Sequence, residues 1–112
     1  MDRRSLSSLA EEPLAQAREH HSGRSAVTVY GGHEHHLRQT LMALAGGRSL
    51  GEHESPGEAT LQVLRGRVRL HAGEETAEGG PGDLLLIPPR RHDLEALEDA
   101  AVLLTVANRL AD

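Results

Sequence analysis

Gly51-Glu52-His53-Glu54-Ser55-Pro56-Gly57-Glu58, running on to Leu64-Arg65-Gly66, is one half of the pattern that decides the fold. The other half is Gly82-Asp83-Leu84-Leu85-Leu86-Ile87-Pro88-Pro89-Arg90-Arg91-His92. Each half sets one histidine beside a strand-like apolar run and turns the chain with glycine or proline. A single such half is a common turn. Two of them, in order and about thirty residues apart, suggest strands returning to one barrel.

The flanking sequence extends that reading. Ala26–Tyr30, Leu37–Leu44, Ala59–Leu64, Val68–His71, Asp83–Ile87, His92–Leu97 and Ala101–Val106 are short β-type runs bounded by Gly, Pro or acidic turns. Arg65-Gly66-Arg67 reads as a tight hairpin and Gly79-Gly80-Pro81-Gly82 as a break. Many short strands at regular spacing predict an all-β sandwich or barrel. Alternate strand residues share a face. His92 therefore joins the apolar Leu94 and Ala96, while Asp93 and Glu95 point the other way. Residues 1–24 read as an N-terminal helical segment ahead of a β domain over residues 25–112. Ser7 or Ser8 is its expected cap, Glu11 and Glu12 its acidic first turn, and Gly23 its end. Pro13 also fits the first turn of a shorter helix beginning near Glu12.

Composition narrows the functional classes. A chain of 112 residues makes one domain with one modest core. It has no cysteine, which excludes disulfides, thiolate nucleophiles and Cys-ligated zinc. A net charge of −5 supplies no basic field for nucleic acid, and no apolar run is long enough for a membrane helix. The N-terminus lacks the apolar core of a signal peptide, so a cytoplasmic protein is expected. Protonating all eight histidines would move the charge by eight units, from −5 to +3, so solubility should change below about pH 6. Tyr30 is the single aromatic residue. The interior must be built from Leu, Val, Ile and Ala, which leaves room for a cavity.

From Arg38 to Val106 the chain resembles the small single-domain bacterial cupins of the RmlC-like class. The family's first motif has a glycine, a His-x-His pair, a Glu and a hairpin glycine. His53 stands at the first histidine and Gly66 at the hairpin glycine, whereas Ser55 replaces the second histidine and Ala59 falls at the Glu. The second motif has a glycine, five residues, Pro-x-Gly and a histidine. Gly82 and Pro88 keep that spacing, Arg90 replaces the glycine, and His92 arrives one residue early. The metal-binding motif is thus partly degraded. The resemblance implies a cupin-type double-stranded β-helix, a jelly-roll barrel with a short N-terminal helix, and a homodimer. It also implies a divalent metal (zinc, iron, manganese or nickel) held by imidazoles and a carboxylate. Such an ion needs about three protein ligands. His53 and His92 supply two, and Glu58 is the third candidate if a bulge shifts its register. The alternative is a pair of barrel-mouth histidines with hydrogen-bonding or general-base roles.

Other side chains are candidates for contact with a ligand. Ser55 and Gln62 are polar neighbours of the first motif, although parity sets Gln62 opposite Ala59. Arg90 and Arg91 could clamp a carboxylate or phosphate, or form a solvated turn. His33, His35 and His36, with Glu34, could chelate an ion or fold over the barrel opening; a solvated turn is the simpler alternative. Tyr30 could supply a phenol. Three functions stay open. One is a small-molecule-binding cupin. The second is a metal-dependent oxygenase or isomerase using His53, His92 and Glu58. The third is a ligand-sensing regulatory domain acting through a protein partner, since no helix-turn-helix is evident for direct DNA reading.

Overall fold

The computed structural model describes residues 1–54 and 57–107; Ser55 lies outside the described residues. The N-terminal segment forms two short helices, α1 (Leu6–Leu9) and α2 (Glu11–Glu19), joined at Ala10. The expected cap shifts to Ser5, whose hydroxyl accepts from the Ser8 N–H at 3.4 Å. Ser7 and Ser8 lie inside α1 instead. Glu11 and Glu12 occupy the first turn of α2 and Pro13 is its third residue, a place where the missing N–H has no helical acceptor to lose. Gly23, at φ +70, reverses the chain into the first strand.

Eight strands follow: β1 (Arg24–Tyr30), β2 (Leu37–Leu44), β3 (Glu58–Arg65), β4 (Val68–Ala72), β5 (Glu75–Gly79), β6 (Leu84–Leu86), β7 (Asp93–Ala96) and β8 (Ala100–Ala107). They form a five-stranded sheet in the order β1-β2-β8-β3-β6 and a three-stranded sheet in the order β5-β4-β7. All pairings are antiparallel. Residues 47–53 complete the smaller sheet as an irregular fourth line along β7. Gly47, Leu50 and His53 donate to the carbonyls of Ala96, Leu94 and His92 at 2.8–3.1 Å. This is the jelly-roll arrangement expected for a cupin.

One strand expectation needs correction, and one strand lies outside the expected runs. Arg65-Gly66-Arg67 is not a hairpin, because β3 pairs with β6 and β8 whereas β4 pairs with β5 and β7. The turn is a corner where the chain leaves one sheet for the other. Gly66 sits there at φ +75, and any Cβ would run into the Asp99 carbonyl. The strand outside those runs is β5, Glu-Thr-Ala-Glu-Gly, which carries no apolar alternation and is exposed over its first four residues. Pairing to β4, with Arg69 bonded to Glu78 across the strands, makes it a strand.

Strand parity builds two cores. Inside the barrel, Leu44, Leu61, Val63, Val68, Leu70, Leu85, Leu94, Ala96 and Val102 pack together, with Met42, Ile87 and Leu104 at the margin. On the other face of the larger sheet, Leu41, Ala43 and Ala101 meet Ala10, Leu14 and Ala17 of the helical segment. Helix α2 thus covers β1, β2 and part of β8. Its short apolar stripe, not its intrinsic propensity, holds it in place, since an isolated helix of nine residues would be marginal in water.

Candidate functional site

His53 and His92 face each other at one end of the barrel. They form an isolated antiparallel bridge, exchanging both N–H···O bonds at 3.0 Å. Residues directly opposite in such a pair share a face. Their rings accordingly meet edge to face with centroids 4.4 Å apart. His92 continues the inward parity of Leu94 and Ala96 and is 4% exposed; His53 covers it from the solvent side.

Backbone carbonyls set the protonation pattern of both rings. His53 Nδ1 lies 2.9 Å from the Gly51 carbonyl, and His92 Nδ1 lies 2.8 Å from that of Arg90. A carbonyl can only accept, so each Nδ1 carries the proton. In the neutral rings both Nε2 atoms then present lone pairs. The supports are held in turn: the Gly51 N–H donates to Asp93 Oδ1 at 2.8 Å, and Arg91 pairs with Glu52 at 3.2 Å. Those supporting bonds involve carbonyls and outward residues, so only the two histidines themselves were legible as a pair.

The other candidates are distributed around this pair. Glu58 opens β3 on the face shared with Thr60 and Gln62, opposite the inward Leu61 and Val63. The irregularity of β3 lies between Val63 and Arg65, at the far end, so no bulge turns Glu58 inward. Glu58 and Gln62 are therefore not brought to the histidines. His33, His35 and His36 lie in the β1–β2 connection. That connection is at the barrel end that carries the pair, since Leu37 stands opposite Ala107 and Ala107 opposite Glu58. His35 stacks edge-on against Tyr30 with centroids 5.4 Å apart. Among the described residues no three His, Cys, Asp or Glu side chains are grouped so as to hold a metal ion. Among the described residues the donor set at this point is two imidazoles, short of the three or more that retain a divalent ion.

Arg90 and Arg91 point apart. Arg91 binds Glu52, as above. Arg90 reaches Glu75 on β5, Nη2 to Oε1 at 2.7 Å, while its own carbonyl holds His92. Glu75 was not foreseeable as a neighbour because β5 itself was not. The outer face of the smaller sheet is a charge network of Arg67, Arg69, Glu78, His71 and Glu95. The Arg69 guanidinium holds the Glu78 carboxyl below its usual range. This is a solvated strand face, with each Arg balanced by Glu.

The sequence profile of the Cupin domain family matches residues 40–107, more than half of the chain. The protein belongs to the cupin family. This cupin is similar in structure to a conserved protein of unknown function from Streptococcus pyogenes, at 27% identity over 82% of this chain and 80% of that one, with a TM-score of 0.71. It also matches salicylate 1,2-dioxygenase from Pseudoaminobacter salicylatoxidans, at 19% identity and TM-score 0.73, over 90% of this chain and 31% of the enzyme. An HTH_3 family transcriptional regulator from Vibrio cholerae matches at 16% identity and TM-score 0.67, over 77% of this chain and 51% of the regulator. No curated protein matches this cupin. At these lower identities the likeness is one of fold, and the fold serves proteins of unrelated activity.

Proposed function

We propose that this cupin is a small-molecule-binding domain whose polar anchor is the His53–His92 pair. The observation that carries the reading is the double Nδ1–H tether. It leaves the Nε2 atoms of the neutral rings as the acceptors of the pair, one on a buried ring and one on an exposed ring. Such a pair accepts hydrogen bonds from a hydroxyl, amide or protonated acid of a ligand, and can take up a proton from it. The aliphatic walls beneath it favour an apolar body behind that polar group. A divalent ion at the pair would need a further donor from the ligand or from outside the described residues. Glu58 faces away and does not supply one.

Long-range proton–nitrogen NMR of the imidazoles tests this, in metal-free protein at a pH well above the ordinary histidine range. Both His53 and His92 are expected to show a protonated Nδ1 and a pyridine-like Nε2. A protonated Nε2 on both rings would remove the basis of the reading.

We further propose that the domain is a homodimer. The free edge of β1 supports this: among the described residues no strand pairs its second side, and it exposes Val27 and Tyr30 at 40% and 48%.

A further inference from the structure

A recess between the free edges of β5 and β6, lined by Arg90 and apolar side chains, has the chemistry of an anion subsite. On the inward face of the smaller sheet, Ala72 of β4 stands opposite Glu75 of β5. The β4–β7 register runs to His71 opposite Asp93, so one further step sets His92 opposite Ala72. His92 in turn stands opposite His53. One row across the barrel mouth therefore reads Glu75, Ala72, His92, His53. Its second member is a methyl group, so the row has a gap between a carboxylate and two imidazoles. Two strand spacings of about 4.8 Å each separate the Glu75 and His92 positions.

The gap opens into a recess of about 150 Å³ floored by Leu70, Ala72, Ala77 and Pro88 and rimmed by Glu75 and Arg90. At about 30 Å³ per water molecule in the liquid, this holds a ligand of about five heavy atoms. The Arg90 guanidinium at the rim is engaged by Glu75, but that pair is 49% and 81% exposed and contributes little. Glu75 thus occupies the position of an incoming carboxylate without holding it firmly. A carboxylate that brings an apolar tail onto the alanine and leucine floor has a contact that Glu75 lacks.

We propose that this recess binds a small organic monocarboxylate. Its carboxylate displaces Glu75 from Arg90, and its far end extends over Ala72 toward the Nε2 atoms of His92 and His53. This deepens the small-molecule reading and rests on it for the far end only. Arg90 is the specificity residue, and Arg91, turned to Glu52, has no part.

The test is a calorimetric and NMR titration of full-length, chelator-treated protein with propionate and butyrate, using propionamide as the uncharged control. The expected result is saturable binding of the acids and none of the amide. Arg90→Gln should weaken binding by about tenfold or more, the loss expected of a charge-assisted bond. Glu75→Gln should tighten it severalfold by removing the competing carboxylate, and Arg91→Gln should leave it unchanged. No saturable binding, equal losses in the two arginine variants, or indifference to Glu75→Gln would each overturn the subsite. The two readings separate through the imidazole signals. Arg90-dependent binding that leaves His53 and His92 unmoved keeps the subsite and sinks the imidazole anchor. Imidazole shifts that persist in Arg90→Gln do the reverse.

Discussion

At the scale of single residues, carbonyls and carboxylates decide what the charged and polar groups can do. His53 and His92 are useful because Gly51 and Arg90 accept their Nδ1 protons. The pair was legible in the sequence: strand parity placed His92 on the apolar face, and the glycine-flanked first motif placed His53 at a turn. The two acceptors were not, since any residue offers a carbonyl. Nor was the outward position of Glu58, which depends on where β3 takes its irregular step. Asp99 is a second case of local control. It accepts from the Gly46 N–H at 2.8 Å and pairs with Arg18 at 2.7 Å, which holds its carboxyl below the usual range, the backbone bond contributing most. A carboxyl with a depressed folded-state pKa stabilises the fold above its unfolded value of 3.8, and the contribution is lost as pH falls through the folded value. Asp99→Asn should thus cost about 0.5–1 kcal/mol at neutral pH, the group being partly solvated. Denaturant titrations should show the gap to the native protein closing below that pH; a gap independent of pH would refute the role of the charge.

At the scale of elements, what the sequence shows depends on how the element is stabilised. Strands β2, β3 and β8 bury side chains and carry the β-branched and leucine pattern that marks them. Strand β5 is held by hairpin pairing to β4 and by the Arg69–Glu78 pair across it, not by burial, so its own polar residues carry no alternation to mark it. The Gly66 corner imitates a hairpin for a similar reason: both turns need a glycine at positive φ, and only the partner strands tell them apart. Helix α2 is legible through Leu14 and Ala17, which find Leu41 and Ala43. Strand β1 is the element left incomplete. It runs seven residues with no proline and no charge after Arg24, and its irregular step between Thr28 and Tyr30 leaves Arg24–Thr28 as a regular free edge. Sedimentation equilibrium at micromolar concentration should give twice the chain mass, and placing a proline at Val27 should return the monomer. A monomeric native protein would contradict the dimer.

At the scale of the whole molecule, an aliphatic core fills the barrel interior and polar side chains gather at one end. The aliphatic interior ends at His92, and the His53–His92 bridge, the Ala72 gap and the Arg90–Glu75 pair lie side by side at that mouth. The cupin fold was readable because it is written in strand periodicity and in the spacing of its two motifs. The chemistry was less so, because it turns on how many donors converge, and convergence is a property of the folded chain. The proposed function requires that the imidazole pair serve an organic ligand without forming a metal centre from the described donors alone. The most direct test is elemental analysis of untagged protein purified without added metal, native beside His53→Ala and His92→Ala. Metal well below one equivalent is expected, at a level the two substitutions leave unchanged. Near-stoichiometric metal that disappears in both variants would contradict it.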